Sequence, residues 1–196
     1  MGEMRDDGAP RVTAFVGDSL TAGGDWQAWL PDESVINFGV GGNTTDDLLE
    51  RLDDVIAAQP QTVVLLIGTN DFAWRQPVEH IVRNTETILF KLRKALPDAQ
   101  LLVIGILPRQ PEYAHVIREV NTHVRQYAST VRAQYLDAWP VLASDDGGLK
   151  HEYTEDELHL TPAGYQALLS ELKPALETLR GQPPSSRAII LPRSTR

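Results

Sequence analysis

Five short apolar runs, each followed by a polar or helix-patterned stretch, constrain this chain more than any other feature. They cover residues 12–16, 35–38, 62–67, 101–106 and 135–138. The runs are near-continuous rather than alternating, the pattern of strands buried on both faces of a parallel sheet. Between them lie apolar stripes of helical period. Leu48, Leu49, Leu52, Val55 and Ile56 form the first, with Thr44 or Thr45 as cap and Asp46, Asp47 and Glu50 at its positive end. Val78 to Leu92 form a second, with Pro77 as first helical residue, and Tyr113 to Val131 a third. The last runs from Tyr165 to Leu176, with Thr161 as cap and Pro162 at its first position, and Pro174 is expected to kink or interrupt it. A shorter helix is expected over 25–30. This alternation predicts a three-layer α/β/α sandwich on a five-stranded parallel sheet, with right-handed crossovers.

Length and composition fit a globular chain of 196 residues, 42% hydrophobic and 23% charged. We expect a single domain over 1–180 and a tail over 181–196. The tail reads as a linker, Gly181 to Ser186, followed by a short apolar segment. That segment admits three readings: a strand added to a sheet edge, a contact with a second copy of the chain in a homo-oligomer, or an appended piece foreign to the fold. A net charge of −9 argues against nucleic acid and anionic membranes as partners. The absence of cysteine removes disulfides, thiolate catalysis and thiolate-bound zinc. It fits a reducing cytoplasm, and the polar start of the chain lacks the apolar core of a signal peptide. No apolar stretch approaches the roughly 20 residues of a membrane span.

Chemistry concentrates just beyond the apolar runs. Gly17-Asp18-Ser19-Leu20 closes the first one and places a serine hydroxyl at the rim of the sheet. Such a hydroxyl is a weak nucleophile without a base in reach. Asp156 and His159 stand three residues apart, so one turn brings both to one side. The carboxylate then orients the imidazole while its other nitrogen faces the serine. Asn37-Phe38-Gly39-Val40-Gly41-Gly42 and Gly68-Thr69-Asn70-Asp71 are glycine-bearing turns after the second and third runs. They offer backbone N–H groups and an amide to a developing oxyanion.

These four motifs, in this order, resemble the GDSL or SGNH hydrolases over nearly the whole chain. The resemblance implies a flavodoxin-like strand order 2-1-3-4-5. It implies Ser19 as nucleophile, His159 as base and Asp156 as orienter. The implied oxyanion donors are the backbone N–H of Ser19, that of Gly39 and the side chain of Asn70. The implied activity is hydrolysis of a small-molecule carboxylic ester through an acyl-enzyme, without metal or other cofactor. A thioesterase or lysophospholipase using the same machinery, and a non-catalytic carbohydrate- or lipid-binding module of the same fold, are the alternatives.

Phe72 and Trp74 follow Asn70-Asp71 and are expected to line an acyl or leaving-group pocket. Arg109 follows the fourth run and is expected to meet either an anionic substrate group or the acidic surface. Asp18 reads as a turn former and Asp71 as a packing residue bonded to the Ser19 loop. Glu155 and Glu157 rival Asp156 but are spaced less aptly from His159. His80, His115, His123 and His151 lack a matched acid in the sequence and read as surface residues. Gly39-Val40-Gly41-Gly42 lacks the lysine and spacing of a phosphate-binding loop.

Overall fold

The computed structural model describes residues 11–182. All strands in its five-stranded sheet run parallel, in the order β2-β1-β3-β4-β5. They are β1 Val12–Gly17, β2 Ser34–Gly39, β3 Thr62–Leu66, β4 Gln100–Ile104 and β5 Ala133–Leu136. Successive residues of the central strands feed opposite layers. Val63 and Leu65 face one core with Leu101 and Val103, while Val64 and Leu66 face the other with Leu102 and Ile104. This two-sided burial is why the runs read as continuous. Helices α3 (Thr45–Glu50), α4 (Leu52–Ala57), α6 (Val78–Ala95) and α7 (Ala114–Ala128) cover the first face. Helices α2 (Trp26–Trp29), α8 (Trp139–Leu142) and α9 (Pro162–Arg180) cover the second. Two single-turn helices, α1 (Ser19–Ala22) and α5 (Thr69–Ala73), stand directly after β1 and β3.

Register decides where the site forms. Gly17 pairs with Gly39 on one side and with Leu66 on the other. The carboxyl ends of β1, β2 and β3 therefore finish level, at the edge where ligands of open α/β sheets bind.

Four elements depart from the sequence reading. The first stripe is not one helix: Arg51, at φ −107° and ψ 11°, separates α3 from α4. Pro77 caps α6 in extended conformation rather than opening it as a helical residue. Helix α9 runs unbroken through Pro174. Pro174 lies on the exposed side, where water can satisfy the carbonyl it leaves free, while Leu168, Leu172 and Leu176 are buried opposite. Strand β5 begins earlier than expected because Arg132, at φ +53°, turns the chain into it and Ala138 caps α8. The segment 183–196, most of the expected tail, lies outside the described residues.

Candidate active site

Helix α1 is too short to satisfy its own backbone, and its surroundings complete it. Asp18 caps it, its Oδ1 accepting from Leu20 N–H at 2.9 Å. The Leu20 carbonyl accepts from the Tyr165 hydroxyl at 2.8 Å. The Thr21 carbonyl accepts from Trp26 Nε1 at 2.7 Å and from Asn37 Nδ2 at 3.1 Å. Trp26 is itself stacked on Phe15, with centroids 4.3 Å apart. Gly17 admits no side chain, because a methyl there would run into the Leu66 carbonyl and the Thr21 hydroxyl. Ser19 is thus presented on a turn fixed from both faces.

The chain brings Ser19 to His159 across 140 residues: Ser19 Oγ lies 2.9 Å from His159 Nε2. His159 Nδ1 lies 2.6 Å from Asp156 Oδ2. The other carboxylate oxygen of Asp156 accepts from the backbone N–H of His159 at 2.7 Å and of Leu158 at 3.0 Å. These hydrogen bonds, the His159 side chain first among them, hold the Asp156 carboxyl down at a pKa of about 2. The segment is closed at its base by an antiparallel bridge between Thr154 and Leu160. Thr161 then caps α9, its side chain accepting from Gly164 N–H. Glu155 and Glu157, the rivals of Asp156, are exposed.

The glycine turns hold a difference from the sequence reading. The N–H of Gly39 is already engaged, donating to Asn37 Oδ1 at 2.8 Å. Gly39 also lies directly under α1, where a methyl would strike the backbone of Ala22. Its lack of a side chain serves that crossing. Gly42, at φ +79°, stands in open space, and its N–H has no acceptor among the described residues. The N–H of Ser19 likewise has none. Asn70 Nδ2 donates to the carbonyl of Asn43, next to Gly42, at 2.9 Å. One amide N–H of Asn70 is therefore spent on the loop, and the second is left for a ligand.

Two buried acids underlie this edge. Asp18 is 1% exposed, and burial pushes its carboxyl up to a pKa of about 7. Its Oδ2 has no hydrogen-bond partner. Asp71 does not bond to the Ser19 loop as expected. It takes the Thr45 hydroxyl at 2.5 Å and the Thr45 N–H at 3.0 Å, and burial raises its pKa. Thr44, not Thr45, caps α3, in a capping box with Asp47. His80 is not an unmatched surface residue: its Nε2 lies 2.7 Å from Asp46 Oδ2, and Asn84 bridges Asp46 to Thr45. The acid is 34 residues away in sequence, which hid it.

The expected pocket residues are dispersed. Phe72 is 8% exposed and packs into the core, 5.9 Å from the Tyr113 ring. Trp74 is 70% exposed at the end of α5. Arg109 makes no ion pair among the described residues. It is buried, lies 4.4 Å over the Tyr113 ring and donates to the Thr69 carbonyl at 2.9 Å, bracing the turn that carries Asn70.

Arg51 is the residue that the sequence reading missed. Its Nη2 donates to the Gly17 carbonyl at 2.8 Å, its Nη1 to the Phe38 carbonyl at 3.0 Å and its Nε to Asn43 Oδ1 at 2.6 Å. The available signal was a lone cation three residues after Leu48, on the buried stripe of an otherwise acidic helix.

Known proteins resemble this chain in sequence and in fold. Platelet-activating factor acetylhydrolase IB subunit alpha1 of Rattus norvegicus is 31% identical over 187 residues, covering 90% of this chain and 79% of that protein. The Homo sapiens subunit is 30% identical over 196 residues, 94% and 83% of the two chains. Among solved structures, a Streptococcus pneumonia protein provisionally assigned as a platelet activating factor superposes with a TM-score of 0.77. It is 30% identical and covers 88% of this chain and 86% of its own. A GDSL-like lipase from Bacteroides thetaiotaomicron, 24% identical with a TM-score of 0.73 over 86% and 88% of the chains, shares the fold. No described helix is long and apolar enough to cross a membrane. The family model for GDSL-like lipases and acylhydrolases matches residues 15–167, and the chain belongs to that family of hydrolases acting on ester bonds.

Proposed function

We propose that this protein is a serine esterase that cleaves small carboxylic esters through an acyl-enzyme. The observation that carries the reading is the unbroken contact from Ser19 Oγ through the His159 ring to Asp156, at 2.9 and 2.6 Å. Ser19 Oγ attacks the ester carbonyl as His159 Nε2 accepts its proton. Asp156, kept ionised by its hydrogen bonds, fixes the ring tautomer that leaves Nε2 free to accept and stabilises the imidazolium. The oxyanion is met by the N–H of Ser19 and the free amide hydrogen of Asn70. The N–H of Gly42 takes the place expected of Gly39, because it alone of the two is unspent. As the tetrahedral intermediate collapses, the C–O bond breaks and the alcohol leaves with the proton from His159. Water, deprotonated by His159, attacks the acyl carbonyl, and the acid leaves as the proton returns to Ser19.

A short acyl group fits best. The acetylhydrolase subunits at 30–31% identity are named for that chemistry, and the side chains expected to wall an acyl pocket are buried elsewhere or point into solvent. The test is turnover of a p-nitrophenyl acetate, butyrate and octanoate series, with and without a serine-directed phosphonate. Acetate is expected to be turned over fastest, and phosphonate is expected to label Ser19 and stop the reaction. Turnover insensitive to both phosphonate and Ser19→Ala would overturn the mechanism. A preference for octanoate would overturn the substrate class alone.

A further inference from the structure

We infer that Arg51 is a positioning residue that holds the oxyanion donors in register, a role that rests on the esterase reading above. Its guanidinium bonds three oxygens from three segments, 8, 13 and 34 residues distant in sequence. None belongs to a carboxylate, and no ion pair of Arg51 occurs among the described residues. Each oxygen lies on a segment that carries or aims a donor. The Gly17 carbonyl precedes the Asp18–Ser19 peptides that carry the Ser19 N–H. The Phe38 carbonyl begins the turn leading to Gly42. The Asn43 side chain is held on the residue whose carbonyl takes Asn70 Nδ2 at 2.9 Å, and that contact aims the remaining amide hydrogen of Asn70.

The local backbone is arranged around this contact. The helical stripe from Leu48 to Ile56 would favour one helix, yet it breaks at Arg51, giving up helical bonds there. A guanidinium is a planar fork with five donors, able to span three diverging carbonyl oxygens, whereas a lysine ammonium is a compact charge. Oxyanion donors are useful only where the charge develops, and a misplacement of about 1 Å can cost about 10²-fold. Arg51 reaches no reacting atom; it fixes the loops whose N–H groups do.

The experiment compares Arg51→Lys and Arg51→Ala with wild type, each corrected for its folded fraction. The readouts are kcat and KM on p-nitrophenyl acetate, the pH profile of kcat/KM, and amide hydrogen exchange over residues 39–43. In Arg51→Lys, kcat is expected to fall about 10- to 100-fold. KM stays within about twofold, since the neutral ester is bound without the oxyanion donors. The pH profile does not move, because Arg51 touches neither His159 nor Asp156. Exchange over 39–43 accelerates. In an Asn70→Ala background the same substitution costs less than in wild type, because both act on one oxyanion site. Wild-type kcat in Arg51→Lys, fully multiplicative losses with Asn70→Ala, or unchanged exchange would overturn the assignment. Should wild type hydrolyse no ester, the esterase reading falls by itself. Exchange in Arg51→Lys then still decides the clamp, faster exchange upholding it and unchanged exchange overturning it.

Discussion

Asp156 grips His159 twice, at the ring through Oδ2 at 2.6 Å and at the backbone N–H through Oδ1 at 2.7 Å. One carboxylate thus sets both where the imidazole sits and which of its nitrogens carries the proton. In Asp156→Asn the backbone acceptor survives, but the amide presents a hydrogen to Nδ1 and favours the wrong tautomer. We expect kcat to fall by about 10⁴-fold with little change in thermal stability. Ser19→Ala is expected to be more severe still, by about 10⁶-fold. Steady-state kinetics beside thermal melts checks both, and an Asp156→Asn variant as active as wild type would exclude Asp156 as the orienter.

Asn70 divides its amide between the Asn43 carbonyl and the open site. Asn70→Ala is therefore expected to lower kcat by about 10²–10³-fold while KM stays near wild type, since the donor acts on charge that exists only in the transition state. A tenfold rise in KM at constant kcat would reassign Asn70 to ground-state binding.

Asp18 makes stability depend on pH. Its carboxyl is raised from the usual 3.8 to about 7 by burial, so the folded state holds a proton that the unfolded state has released between those values. The associated stability is complete below about pH 4 and is lost as pH rises through 7. Asp18→Asn keeps an acceptor for the Leu20 N–H and removes the titration, so its stability should be flat across this window where wild type declines. Urea melts at pH 4.5, 6 and 8 measure the difference. Parallel declines in both proteins would show that another group titrates.

Thr45 supplies both hydrogen bonds to the fully buried Asp71 carboxylate. Thr45→Val preserves shape and deletes the hydroxyl, leaving Asp71 Oδ1 without that donor. A loss of about 1–3 kcal/mol is expected in denaturant unfolding. The loss should shrink in an Asp71→Asn background, where no buried charge is stranded. An equal loss in both backgrounds would mean that the Thr45 hydroxyl acts elsewhere.

The strands and the pairing of Asp156 with His159 were legible from signals local in sequence, whereas the strand order and the meeting of Ser19 with His159 were legible through the resemblance carried by four motifs in order. Buried strands announce themselves as runs, and Asp156 and His159 lie within one turn. The misreadings share another cause: long-range contacts decide them. Nothing near Gly39 says that α1 will cross above it. Periodicity alone favours a continuous helix from Thr45, and only the distant Gly17 and Phe38 carbonyls explain the break at Arg51. His80 looked unpaired because Asp46 meets it from another helix. Pro174 argued for a break that the strongly buried opposite face of α9 overrides.

The separation of Ser19 from His159 by 140 residues also bears on how activity appears during synthesis. Ser19 is made just after the first described strand, and the last described strand ends at Leu136, before His159 has been added. On the proposed mechanism, a nascent chain that has all five described strands still lacks its general base. Only with His159, and with the α9 helix that supplies Tyr165 to the Ser19 turn, is the proposed site complete. On the proposed mechanism, a fragment that ends before His159 carries Ser19 without its base.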